Sequence, residues 1–200
     1  MTTQRLVLAT GNGGKVAELQ SMLAPFSVDV VAQKTLGVAD VPETGTTFVE
    51  NAIIKARHAA AVTGLSALAD DSGLEVEALN GAPGVRSARY AGESASDADN
   101  VEMLLAALTG VDHRAAAFHC VIVFMRSAED PTPLIASGRW AGTIAAQRSG
   151  DGGFGYDPVF QVPETGLTAA QLGKSEKNRI SHRAIALQSL IQKLRATGRF

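Results

Sequence analysis

The sequence predicts an α/β fold, and three observations carry that expectation. Near the start, the apolar run Arg5-Leu-Val-Leu-Ala9 meets a glycine loop, Thr10-Gly-Asn-Gly-Gly-Lys15, and then a helical pattern with Val16, Leu19, Met22 and Leu23 on one face. In the middle, a second apolar run, Leu65 to Ala69, ends in two adjacent aspartates. Late in the chain, Leu187, Leu190, Ile191 and Leu194 mark an amphipathic helix.

Composition sets the outer bounds. The 200 residues, 46% of them hydrophobic, can bury a sizeable core and exclude a disordered chain. One domain spanning 1–200 is expected. A net charge of −2 gives no electrostatic reason to expect a nucleic-acid polymer as partner. Any anionic ligand must then be met by local lysines, arginines and backbone amides. The single cysteine, Cys120, lies in an apolar stretch and reads as a small core residue, so no disulfide framework is expected. No apolar run is long enough to span a bilayer and no signal-peptide pattern is visible, so the chain reads as cytoplasmic with no membrane partner.

Taken in order, the first strand, glycine loop and helix form the geometry that places backbone N–H groups against a phosphate. Lys15 adds a positive charge at the same end. Neither a Walker A loop nor a dinucleotide fingerprint fits, because Val16 stands where each needs another residue. A tight ligand-free turn is the other reading, although a lysine at a helix start is disfavoured unless an anion joins it. Val28-Asp-Val-Val-Ala32 is a second strand, and Val38 to Gly45 is a loop carrying Asp40 and Glu43. Thr47-Phe-Val-Glu50 is a capping box that starts a helix with Phe48, Ala52, Ala56 and Ala59 as its apolar stripe. Asn51 and Lys55 share a side of that helix. Lys55 either snorkels to water or pairs with a carboxylate or phosphate.

Asp70 and Asp71 are expected at a turn between the buried run and a half-buried strand, Leu74-Glu-Val-Glu77. Two carboxylates this close repel each other and are poor strand formers. A divalent cation shared with substrate phosphates would offset that cost. An Asx-turn with both aspartates solvated is the alternative. If the strand instead continues through both, their side chains face opposite ways. Asn80 to Gly84 is a turn cluster, Val85 to Tyr90 a short helical piece, and Asp97 to Leu108 a helix. Arg114 to Met125 and Leu134 to Ala146 are two extended strands, with an antiparallel hairpin expected between them.

Two further stretches carry chemistry. In Gly150-Asp-Gly-Gly-Phe-Gly-Tyr-Asp-Pro158, glycines flank Phe154 and expose an aromatic face, suited to stacking on a base or to packing inside a hairpin loop. In Ser175-Glu-Lys-Asn-Arg-Ile-Ser-His-Arg183, Ser181 is placed to cap a helix whose first turn holds His182 and Arg183, with Lys177 just before. Such a set of donors either meets an acceptor-rich partner or stays solvated. A nucleotide kinase would also use a glycine loop and Mg²⁺, but the Walker A pattern fails; a nucleotide-binding regulator would not need Asp71.

Together these stretches resemble one family. The chain is similar to the inosine triphosphate pyrophosphatases, also called Ham1-like or noncanonical purine NTP pyrophosphatases, and most to the bacterial dITP/XTP branch. The matching segments are Thr10 to Lys15, Thr46 to Ala52 with Lys55 and Ala56, Ala69 to Gly73, Gly81 to Gly84 with Ser87 to Tyr90, Gly152 to Pro158 and Ile180 to Arg183. They run nearly end to end and in family order. The resemblance implies an elongated α/β fold with a long twisted mixed sheet, flanking helices and two lobes around a substrate cleft. It also implies a homodimer and Mg²⁺-dependent hydrolysis of purine nucleoside triphosphates such as ITP, dITP and XTP to monophosphate and pyrophosphate. By the same resemblance, Thr10, Gly11, Asn12, Gly13, Gly14, Lys15 and Lys177 hold the triphosphate. Glu43 and Asp71 hold Mg²⁺, Asp71 activates water and Ser72 touches substrate, while the need of phosphoryl chemistry for charge neutralisation adds Lys55. Phe154, Gly155, Tyr156, Asp157, His182 and Arg183 grip the base.

Overall fold

The computed structural model describes residues 4–26 and 28–198. Its sheet has six strands in the order β2-β1-β3-β4-β5-β6. These are β1 (Gln4–Ala9), β2 (Val28–Ala32), β3 (Ser66–Val76), β4 (Ala115–Met125), β5 (Leu134–Ile144) and β6 (Phe160–Gln161). The helices are α1 (Gly13–Leu23), α2 (Phe48–Thr63), α3 (Asp97–Ala107), α4 (Lys174–Ile180) and α5 (His182–Ala196). β1 pairs in parallel with β2 and β3, whereas β5 and β6 are antiparallel, so the sheet is mixed and the fold is α/β.

The chain divides into two units. The first comprises 1–71, 120–138 and 183–200; the second comprises 72–119 and 139–182. In the first unit, side-chain alternation along β1 sets up two cores. Leu6 and Leu8 pack with Leu19 and Leu23 of α1 and with Leu187, Leu190 and Leu194 of α5. Val7 and Ala9 point the other way and pack with Ala52, Ala56, Ala59 and Ala60 of α2. Helices therefore cover both faces, as parallel strands require. Of the predicted stripe of α2, Ala52, Ala56 and Ala59 are buried and Phe48 only partly so, and the helix carries little side-chain bulk toward the sheet. Its predicted capping box is present, with Thr47 and Glu50 each satisfying the other's backbone N–H. In the second unit, Leu74, Val76, Val101, Leu104, Phe118, Trp140, Tyr156 and Phe160 belong to one core.

One expectation needs correcting. Asp70 and Asp71 lie inside β3, which runs unbroken from Ser66 to Val76, and not at a turn. The cost of two acidic residues in a strand is offset by a cation on each, as described below. The C-terminal helix starts where the sequence places it, with His182 and Arg183 opening α5 and Ser181 before them in extended backbone (φ −68°, ψ 160°), while Lys177 lies inside the separate short helix α4.

Candidate functional site

Because Asp70 and Asp71 are consecutive on a strand, their side chains leave opposite faces. Asp70 follows Leu68 onto the face shared with α1 and α5, and Asp71 follows Ala67 and Ala69 onto the face covered by α2. Each meets lysine from its own side. Lys15 Nζ lies 2.7 Å from Asp70 Oδ1. Lys55 Nζ lies 2.7 Å from Asp71 Oδ1 and 3.0 Å from Glu43 Oε1. Arg183 completes the Asp70 side: its Nε donates to Asp70 Oδ2 at 3.1 Å and its Nη1 pairs with Glu18. The Cys120 thiol also donates to Asp70 Oδ2, at 3.1 Å.

The two carboxylates differ in electrostatics. Burial works against the Asp70 charge, but Arg183, Lys15 and Lys55 outweigh it and hold the carboxyl far below the usual aspartate range. For Asp71 burial wins over Lys55 and Lys15, so its carboxyl takes up a proton more readily than an ordinary aspartate. Burial likewise pushes the Cys120 thiol well up, with Asp70 beside it adding to the effect, so it is a neutral donor.

Local sequence positions these groups. Asn12 caps α1 by accepting from the Lys15 N–H, and Thr10 Oγ1 accepts from the Asn12 N–H. Gly13 and Gly14 open α1, whose first-turn N–H groups lack intrahelical partners and suit an anion. The Glu43 loop is tied to α2: Asn51 Oδ1 accepts from the Gly45 N–H at 2.8 Å, and His58 Nε2 contacts the Ala39 carbonyl at 3.1 Å. A Cβ at Gly45 would come within 2.5 Å of Glu50 Cβ and 2.7 Å of Asn51 Oδ1. Gly45→Ala is therefore expected to cost about 1–3 kcal/mol and, by displacing Glu43, to raise the metal concentration needed for activity. Thermal melts and a metal titration of turnover check both.

Glu43 and Asp71 are the carboxylates that would suit a divalent cation. Their carboxylates converge on the one ammonium of Lys55, and oxygen donors are what Mg²⁺ takes.

The second unit holds the aromatic loop. Asp157 is buried and accepts from Lys177 Nζ at 2.6 Å and from the Phe154 N–H at 3.0 Å. Lys177 Nζ also stands 4.9 Å from the Phe154 ring centroid. The Gly155 N–H donates to Asp97 at the start of α3, and Tyr156 Oη donates to the Ser87 carbonyl at 2.8 Å. His182 is buried in a ring cluster, 4.7 Å from Phe118 and 6.3 Å from Trp140 between centroids. Gly153 has φ +74°, and a Cβ there would overlap the Asp157 carboxylate. Gly153→Ala is expected to raise KM about tenfold or more, since each tenfold corresponds to about 1.4 kcal/mol; steady-state kinetics check it.

Most predicted positions thus fall into two groups. Lys15, Glu43, Lys55, Asp71 and Arg183 gather in the first unit; Phe154, Asp157, Lys177 and His182 lie in the second. Ser72 continues β3 directly after Asp71. Arg183, expected among the base-gripping residues, is 1% exposed and engaged with Asp70 and Glu18. Sequence reading missed Glu18 and Asp97. The available signals were the i,i+3 spacing of Glu18 from Lys15 and the place of Asp97 as first residue of α3.

The Ham1 family profile matches residues 6–193. The chain is 61% identical over 194 residues to the dITP/XTP pyrophosphatase of Yersinia pseudotuberculosis, covering 96% of this chain and 98% of that one. Among solved structures, a Ham1 protein from Coxiella burnetii superposes with TM-score 0.89 at 52% identity, over 96% of this chain and 99% of the other. A nucleoside-triphosphatase / dITP/XTP pyrophosphatase from Mycobacterium abscessus gives TM-score 0.74 at 41% identity, over 94% and 99%. The family profile, the identity over nearly the whole chain and the shared architecture coincide, and the chain belongs to the Ham1 family.

Proposed function

We propose that the protein hydrolyses the noncanonical purine nucleoside triphosphates ITP, dITP and XTP to monophosphate and pyrophosphate with Mg²⁺, keeping deaminated purines out of DNA and RNA. Its family and its relatives make it a nucleoside-triphosphate pyrophosphatase, a hydrolase. The observation that carries the reading is Lys55, bridging Glu43 and Asp71 on α2's side of β3, with Lys15 at the head of the glycine loop on the other.

Glu43 and Asp71 would hold Mg²⁺, which would supply positive charge to the phosphate oxygens. The Asp71 carboxylate accepts the proton of the attacking water. Burial suits it to that task, because a base with raised proton affinity transfers protons more effectively near neutral pH. Backbone amides of Thr10 to Lys15 hold the triphosphate, with the charges of Lys15, Lys55 and Lys177. Ser72 contacts the substrate. Phe154 stacks on the base, and Gly155, Tyr156 and Asp157 shape its pocket. His182 donates to the 6-oxo oxygen, while its neighbour Arg183 is held in the interior by Asp70 and Glu18. Adenine presents an amino donor there, and mismatches of that kind discriminate by about 10⁴–10⁵. Residues 1–200 act as one domain. The same reading makes the protein a cytoplasmic homodimer acting on free nucleotides, with no nucleic-acid polymer or membrane as partner. Among the described residues no helix is long and apolar enough to cross a membrane.

The test is a substrate panel. With Mg²⁺, ITP, dITP and XTP should be consumed while ATP and GTP are largely spared, and EDTA should stop turnover until Mg²⁺ is restored. Equal consumption of ATP would overturn the base selection. Full activity in EDTA would remove the metal, and binding without turnover of any nucleotide would favour a regulator.

A further inference from the structure

We propose that Asp97 is a positioning residue for the aromatic loop: its carboxylate anchors the Gly155 N–H and so fixes where the Phe154 ring stands against the base. This rests on the function proposed above and adds to it a residue that governs how the base is held.

Three observations carry it. First, the loop 150–158 is glycine-rich, and the glycines on both sides of Phe154 have positive φ, +74° at Gly153 and +61° at Gly155. Glycine backbone has many accessible conformations, so the ring stays in one place only if the chain is tied down beside it. Second, the ties are there. The Phe154 N–H donates to Asp157 at 3.0 Å, and the Gly155 N–H donates to Asp97 Oδ2 at 2.6 Å. Because peptide groups are planar, these two bonds fix the peptides on both sides of the Phe154 Cα, and with them the direction of its half-buried ring. Asp157 belongs to the loop itself, whereas Asp97 comes from α3, 58 positions away from Gly155. Third, Asp97 has a rigid mount. It is the first residue of α3, behind a capping box formed by Ser96 and Asp99. Further along, the buried Asn100 accepts from the Ala91 N–H and donates to the Ala88 carbonyl, and Val101 and Leu104 share a core with Tyr156. An acidic residue at a helix start also complements the helix dipole, but that role asks for no partner in the loop.

The test compares Asp97→Ala, Asp97→Asn and Asp99→Ala by steady-state kinetics with dITP, inhibition by inorganic tripolyphosphate and thermal melting. Asp97→Ala should raise KM for dITP about 5- to 20-fold and leave kcat within about threefold of wild type, because Phe154 holds the base and takes no part in bond cleavage. Tripolyphosphate has no base, so its inhibition constant should not change. Asparagine keeps an acceptor oxygen for the Gly155 N–H, so Asp97→Asn should stay within about threefold of wild type. Asp99→Ala removes the capping box and should lower the melting temperature without moving KM. A wild-type KM in Asp97→Ala would overturn the proposal, as would an equal weakening of tripolyphosphate. So would an equal rise of KM in Asp97→Asn, which would assign the effect to charge at the helix start, or in Asp99→Ala, which would assign it to fraying of α3. Amide hydrogen exchange on the wild-type protein decides the contact even if Asp97→Ala does not fold. The Gly155 amide should exchange at least about tenfold more slowly than an unstructured one, and unprotected exchange would remove the anchor. No release of pyrophosphate from dITP by the wild-type protein would instead sink the functional reading.

Discussion

Replacing Asp70 by asparagine is expected to destabilise the protein by about 3–5 kcal/mol at neutral pH, the usual cost of removing one partner from a buried ion pair. Asp70 is fully buried, and its carboxylate answers Lys15 and Arg183 directly. Without it, Arg183 keeps its charge in the interior beside Glu18 and loses half of its ion pairing. The pH dependence follows from the direction of the shift. The folded-state pKa of Asp70 is depressed, so its contribution is complete above the unfolded value of about 3.9 and disappears as pH falls toward the folded one. Urea unfolding of wild type and Asp70→Asn should therefore show the full gap at about pH 7 and a narrower one at about pH 3. A gap that is absent at neutral pH, or that does not close in acid, would contradict the assigned role.

Asp71→Asn should behave in the opposite way. Its expected effect is a fall in kcat of about 10²–10⁴, the range for losing a general base. Stability should suffer far less than in Asp70→Asn. Lys55 keeps Glu43 as a partner, and burial already works against the Asp71 charge. The folded-state pKa is raised here, so the folded protein holds the Asp71 proton more tightly than the unfolded chain does. Asp71 thus stabilises the fold only at low pH, and that contribution is lost as pH rises through the folded value. Steady-state kinetics beside urea unfolding separate the two aspartates. Asp70 should be lost as stability and Asp71 as rate. Equal losses of both kinds from both variants would mean that the two faces of β3 do not divide the work.

Local chemistry made much of this legible. The Thr47–Glu50 capping box, the alanine stripe of α2 and the strand–glycine loop–helix start all depend on residues within a few positions of one another, and all appear as expected. The partners of Arg183 were not legible for the converse reason. Asp70 and Arg183 are 113 positions apart, and Glu18 and Arg183 are 165 apart, so only the tertiary fold decides that they meet. The same cause accounts for the misplaced turn. Aspartate is a poor strand former in isolation, but Lys15 and Arg183 on one face and Lys55 on the other stabilise both carboxylates within β3. Arg183 was read as a donor to a ligand because nothing near it in sequence shows that Glu18 and Asp70 would surround it. The family resemblance supplied the candidate ligands of the loop and the carboxylates, and their geometry supplied the reason for Lys55.

Phosphorus NMR of dITP incubated with the protein and Mg²⁺ tests the central claim most directly, because it identifies the bond that is cut. Monophosphate and pyrophosphate in equal amounts are expected. Diphosphate with orthophosphate would mean that water attacks the terminal phosphate, and the roles given to Glu43, Lys55 and Asp71 would be wrong.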